Sequence, residues 1–309
     1  MDFDKMRESE NVEDRRGQGG NIPSGRVGRG GGARLGLGGL VIVVVGSLLF
    51  GLNPADVLNG LQGGGQSGGQ SGGQSGGLTQ TSGNSGNSGA SVNSNDPGLI
   101  FSKKVMGDLE DTWGNIFKTQ LNGTYQAPKL VLFSNGTRTG CGNGESAMGP
   151  FYCPPDQTAY LDLSFFRELE GTASAGGDLA RSYVIAHEIG HHVQNLLGIS
   201  DKVAAKRREV NEATANQLSV RVELQADCFA GIWANSAAQR GIIKTEAEIQ
   251  TAIKTAMEIG DDYLQRKSRG FVVEEAFTHG SSAQRARWFK LGFDSGLVKD
   301  CNTFAAQRL

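Results

Sequence analysis

Apolar residues recur at helical spacing through "IFSKKVMGDLEDTWGNIF" (100–117) and predict a helix there. After "NGTYQAP", the run "KLVLFS" (129–134) predicts a strand. A second strand is expected over "TAYLDLSFF" (158–166), where apolar and polar residues alternate as in a half-exposed strand. Helices dominate the remainder. "GDLARSYVIAHEIGHHVQNLLG" (177–198) keeps the helical period from Asp178, the expected N-cap, to Gly198. Residues 201–241 predict one or two further helices, 244–266 another, and a last one opens at Ser281 or Ser282. The predicted class is α+β, a mainly helical domain with a small sheet near its N-terminal end.

The pattern changes character upstream. "LGLGGLVIVVVGSLLFGL" (35–52) carries no charge, and at 1.5 Å per residue it is about 27 Å long as a helix, enough to cross a bilayer core. It is expected to be a transmembrane helix. A cleaved signal peptide fits less well, because 34 mostly polar residues precede the stretch and no A-x-A site follows. Arg26, Arg29 and Arg34 flank it on the N-terminal side, and no Lys or Arg follows until Lys103. That asymmetry predicts a cytoplasmic N-terminus and an extracytoplasmic domain, facing periplasm or cell exterior. Residues 62–90 are almost entirely Gly, Gln, Ser and Asn with almost nothing apolar to bury, and predict a flexible coil. The expected organisation is a cytoplasmic segment 1–34, a transmembrane helix 35–52, a linker 53–97 and one folded domain 98–309.

Charge and cysteine content narrow the setting. The formal net charge is −2, and the only basic block is "KRR" at 206–208, read as a solvated helix face. Nucleic acid is therefore not an expected partner. All four cysteines follow the apolar stretch and none forms a C-x-x-C pair. Cys141 and Cys153 flank the short loop "CGNGESAMGPFYC" and are the expected disulfide. Cys228 and Cys301 are the pair left over, with a buried free thiol as the other reading of Cys228.

Three of the four histidines fall within "VIAHEIGHHVQ" (184–194). His187 and His191 are four apart, so on a helix both imidazoles project from one face and reach one ion. Glu188 lies about 100° round the helix from His187, near such an ion but poorly aligned to ligate it, as suits a base acting on water. This is the H-E-x-x-H pattern of zinc peptidases. His192 is turned off the ligand face and is read as a solvent-facing or supporting histidine. No third histidine follows at the metzincin spacing, so the third ligand must come from a later element. Glu223 in "VELQADCFAG" is the candidate. Apolar neighbours surround it, and Asp227 one turn on can accept the other N–H of a ligand histidine.

Together with "GPFYCPPDQTAYLDLSFF", "ELQADCFAGIWA", "THGSSAQRARWFKLGF" and the single apolar stretch, these motifs resemble the bacterial membrane-anchored neutral zinc metallopeptidases, relatives of the gluzincins. The resemblance implies a zincin-like fold, one Zn2+ per chain held by His187, His191 and Glu223, and Glu188 as catalytic base. In gluzincin sites a further His or Tyr steadies the developing oxyanion, and His279 is the candidate here, a helix-start cap being its other reading. Arg285 and Arg287 either pair with carboxylates near the metal or face solvent. The expected function is a membrane-anchored zinc peptidase acting on a peptide or protein substrate, with strand 158–166 holding the substrate by main-chain pairing. The rival reading is a non-catalytic tethered zinc module that binds an envelope protein or the cell wall. An intact Glu188 speaks against the rival, because a structural zinc site needs no base.

Overall fold

The computed structural model describes residues 1–17, 93–172 and 177–309. The expected transmembrane helix 35–52 and most of the linker lie outside the described residues. Among those described, no helix is long and apolar enough to cross a membrane. The class is α+β, mainly helical with a small sheet, as the periodicity predicts.

Eight helices carry the described chain. α1 (Pro97–Gln120) is capped by Asp96, whose side chain accepts from the Leu99 amide at 2.8 Å. α2 (Ser164–Thr172) follows the sheet. α3 (Asp178–Leu196) holds the histidine cluster. Its N-cap is Gly177 rather than Asp178, which opens the first turn, where its charge favours the helix dipole. The stretch 201–241 resolves into two helices, α4 (Ile199–Arg207) and α5 (Glu212–Gln239). The predicted helix over 244–266 divides into α6 (Glu246–Glu258) and α7 (Asp261–Arg269). The break sets Asp261 under the turn before the last helix: its amide donates to the Gly280 carbonyl at 2.9 Å, and its carboxylate accepts from the amides of Thr278, His279 and Gly280. α8 (Ser282–Ser295) starts from a capping box made by Ser281 and Gln284.

A four-stranded sheet packs against these helices in the order β1 (Val12–Asp14), β2 (Lys129–Phe133), β6 (Thr158–Asp162), β5 (Phe151–Cys153). β1 and β2 run parallel, as do β2 and β6, while β5 runs antiparallel to β6. A hairpin of β3 (Gly136–Thr139) and β4 (Gly142–Glu145) stands apart from this sheet. The alternation read over 158–166 as a half-exposed strand is corrected in two ways. All five residues of β6 are buried and both its edges are paired, and the chain turns into α2 at Ser164. The reason is that both faces of the sheet are covered. Leu130, Leu132, Ala159 and Leu161 enter the main core with the helices, while Val131, Phe133, Phe151 and Tyr160 form a second cluster on the other face.

The main core centres on α5, which packs along α8 and α3 and buries Leu224, Phe229 and Trp233. Both cysteine pairs are bridged: Cys141 to Cys153 across the β3–β4 loop, and Cys228 on α5 to Cys301 near the end of the chain. Residues 1–17, expected to belong to a segment apart from the domain, instead contribute the edge strand β1 and the buried Met6 and Ser9.

Candidate metal centre

Two helices bring the donor atoms together. His187 and His191 project from one face of α3, and Glu223 reaches across from α5. Glu223 Oε2 lies 3.1 Å from His187 Nε2, and Oε1 lies 3.5 Å from His191 Nε2. One ligand atom from each residue fits within 4.8 Å of the others, a spacing that suits one ion about 2 Å from every donor. The helices can approach this closely because residue 190 is glycine: a Cβ there would lie 2.9 Å from the Ala226 carbonyl oxygen and 3.0 Å from its Cα.

The outer nitrogens of both histidines are engaged, which turns the Nε2 atoms toward the shared centre. His187 Nδ1 donates to Asp227 Oδ1 at 2.8 Å. His191 Nδ1 donates to Gln194 Oε1 at 2.9 Å, and Gln194 is itself fixed by its amide on the Val222 carbonyl at 2.7 Å. Asp227 is fully buried and also accepts from Tyr183 Oη at 2.5 Å and from Arg285 Nε and Nη2 at 2.8 and 2.9 Å. Arg285 is therefore buried in the network behind the donors, while Arg287 reaches the Leu309 carbonyl at the surface.

The electrostatics suit a cation. Burial works against charge on His187, but Asp227 and Glu223 outweigh it and raise its pKa to about 10. Burial would also neutralise Glu223, yet His191 and His187 hold it well below the usual carboxylate range. Two imidazoles and a carboxylate thus share a pocket that holds positive charge, which a proton or a metal can supply. Burial raises the Glu188 pKa, partly offset by His191 and His187, toward the range of a general base. Among the described residues nothing donates a hydrogen bond to its carboxylate, so its oxygens are free to meet water.

His279 is buried, with its Nδ1 side against Asp261 Oδ1 at 3.2 Å and Thr278 Oγ1 at 2.9 Å. The turn before α8 brings His279 within electrostatic reach of Glu223. Of the two readings of His192, the solvent-facing one does not hold. It is fully buried, with Nε2 donating to the Gln126 carbonyl at 2.6 Å and Nδ1 accepting from Tyr152 Oη at 2.9 Å. Because a carbonyl only accepts, that tautomer is fixed, and His192 ties α3 to edge strand β5. Burial lowers its pKa to about 4.

Sequence reasoning missed three members of this centre. Gln194 and Tyr183 lie on α3 at helical spacing from the ligands, but only the partner helix reveals what they hold. Arg207 belongs to the "KRR" block read as solvated, yet it is partly buried, its Nε has no hydrogen-bond partner among the described residues, and it lies within electrostatic reach of Glu223.

The YpfJ protein of Escherichia coli K12, printed as uncharacterized, is 46% identical over 307 residues, covering 98% of this chain and 99% of its own. The Rv2575 protein of Mycobacterium tuberculosis H37Rv, likewise uncharacterized, is 43% identical over 204 residues, covering 63% of this chain and 68% of its own. No solved structure matches the chain. A family model matches residues 1–304, and the chain accordingly belongs to the family described as "Putative neutral zinc metallopeptidase".

Proposed function

We propose that this protein is a zinc-dependent peptidase of zincin-like fold, with His187, His191 and Glu223 as its metal ligands and Glu188 as its base. The observation that carries the reading is the pairing of a three-donor cluster with an adjacent, unengaged carboxylate. Three protein donors leave a coordination position open, as catalytic zinc sites do, whereas a purely structural site closes with four. Among the described residues no fourth His, Cys, Asp or Glu joins the cluster.

A zinc ion in this cluster supplies a Lewis acid that acidifies water and polarises a carbonyl. The chain's own groups do the rest. Glu188 takes a proton from the attacking water and returns it to the leaving amine. His279, steadied on its Nδ1 side by Asp261, presents its other nitrogen to the oxyanion that develops on the scissile carbonyl. Asp227 and Gln194 hold the two ligand imidazoles in orientation.

The peptide-holding role expected of strand 158–166 passes to β5, because β6 has no free edge. Among the described residues β5 has a strand neighbour on one side only, and Tyr152 within it touches His192 on α3. An extended peptide added there would run beside the donor cluster. The test is digestion of an unbiased peptide library by the purified full chain. We expect internal cleavage that a chelator abolishes and stoichiometric zinc restores. A zinc-loaded protein that cleaves nothing in the library would favour the non-catalytic reading.

A further inference from the structure

The N-terminal residues cover a polar site on α1. Glu110 on α1 is 9% exposed, and the hydrogen bonds to its carboxylate come from the N-terminal segment: Arg7 Nη2 at 2.7 Å, Ser9 Oγ at 2.5 Å and Asn11 Nδ2 at 2.8 Å. The segment that covers this carboxylate also supplies its partners, so the docked arrangement leaves no buried charge unpaired. Ser9 is itself buried, and its amide donates to the Lys103 carbonyl at 3.0 Å. β1 continues the sheet, with the Leu130 amide on the Asn11 carbonyl at 2.9 Å and the Arg15 amide on the Leu132 carbonyl at 2.8 Å. Arg16 closes the far end on Asp96 at 2.9 Å, beside the start of α1. The backbones fit closely: a Cβ on Gly107 of α1 would lie 2.3 Å from the Arg7 carbonyl oxygen.

These contacts make residues 1–17 and 93–309 one folded unit. Strands that share main-chain hydrogen bonds lie about 5 Å apart, and a bilayer core is about 30 Å thick, so the unit occupies one compartment. A single crossing by 35–52 would put its two parts on opposite faces. The 18 residues of that stretch suffice for one pass and not for two. From the sheet, we propose that both flanks of residues 18–92 lie on the same side of the membrane, with 1–17 acting as an edge strap of the domain. A single net crossing between the two flanks is then ruled out, and with it the arginine-based orientation expected from sequence. Docking of the strap onto a second copy leads to the same conclusion, because both copies carry their domains on one side. Nothing in this inference depends on the zinc reading.

The test uses the full chain in bacterial cells. Glu10→Cys and Lys299→Cys, both at exposed positions, are made separately and treated with a membrane-impermeant maleimide before and after lysis. The expected result is that the two match, both labelled in intact cells or both protected until lysis. Labelling of one with protection of the other overturns the proposal. In parallel, Arg7→Cys and Asp111→Cys, whose native side chains meet at 2.9 Å, are joined by a short bis-maleimide in a chain carrying a protease site within 62–90. The two fragments should stay linked after cleavage, and separate fragments overturn the docking. Gly107→Ala introduces the better helix former, so the domain keeps its fold while the strap is displaced. It should lower cross-linking at least tenfold, and undiminished cross-linking contradicts the strap's seating.

Discussion

Removing Arg285 tests the network that orients His187. Asp227 is fully buried, and two of its four hydrogen bonds come from the Arg285 guanidinium. Arg285→Met leaves an ionised carboxylate inside the core without its cation, a change that costs about 3–5 kcal/mol. For a domain of this size that corresponds to a fall of roughly 6–20 °C in Tm, measured by calorimetry on chelator-treated protein. The pH dependence has a definite sign. Burial works against the charge on Asp227, but Arg285 and His187 hold its pKa below the usual carboxylate value. In the wild type its contribution is therefore present above an unfolded carboxylate pKa of about 3.9 and is lost as pH falls through the lower folded value. Without Arg285, burial is opposed by His187 alone and the Asp227 pKa rises, so the variant's deficit should shrink as the pH is lowered toward 5 and the carboxyl takes up a proton. Asp227→Asn combined with Arg285→Met removes both charges and should cost less than the sum of the single changes. A loss under about 1 kcal/mol that does not change with pH would refute the assignment of Asp227 and Arg285 as a buried pair.

Three further outcomes follow from the geometry. Gly190→Ala adds a good helix former but drives a methyl into the Ala226 backbone; its overpacking cost of about 1–3 kcal/mol should outweigh a helix gain of about 1 kcal/mol, and competition with a chromogenic chelator should show at least tenfold weaker zinc binding. Tyr152→Phe takes the hydroxyl from His192 Nδ1 and Asn195 Nδ2, leaving a buried acceptor unpaired at about 1–3 kcal/mol in urea unfolding with zinc stoichiometry unchanged. Replacing Cys228 and Cys301 together by alanine opens a bridge spanning 73 residues and should cost about 4 kcal/mol in the chain-entropy model, again read from urea unfolding.

What the sequence revealed depended on how far each element extends. The period of α3 is long enough that its start and end fall within two residues of the predicted limits, and the facing of His187 and His191 follows from it directly. Glu223 was legible because Asp227 stands one turn on and apolar residues enclose both. β1 and β5 have three residues each, too few for any alternation to register; β1 finds its partner more than a hundred residues away, and β5 pairs back onto β6 across the short turn that opens at Pro154. The exposure of β6 was misread for the same reason, since its second face is covered by residues that pairing alone brings there. The spacing turned His192 off the ligand face, but its burial is decided by Tyr152 and Gln126, which no local pattern connects to it. Arg207 shows the same limit: a basic block reads as solvated until the fold half-buries one member of it.

The account rests most directly on Glu188, and Glu188→Gln tests it in one preparation. Metal content and peptide hydrolysis are measured together on wild-type and variant protein loaded with zinc. Loss of a general base lowers rate by a factor of about 100 or more while ligands elsewhere are untouched, so the variant should keep one zinc per chain and lose hydrolysis to that extent. Wild-type turnover in a variant that holds its zinc would contradict the role of Glu188, and loss of the metal would make Glu188 a ligand rather than the base.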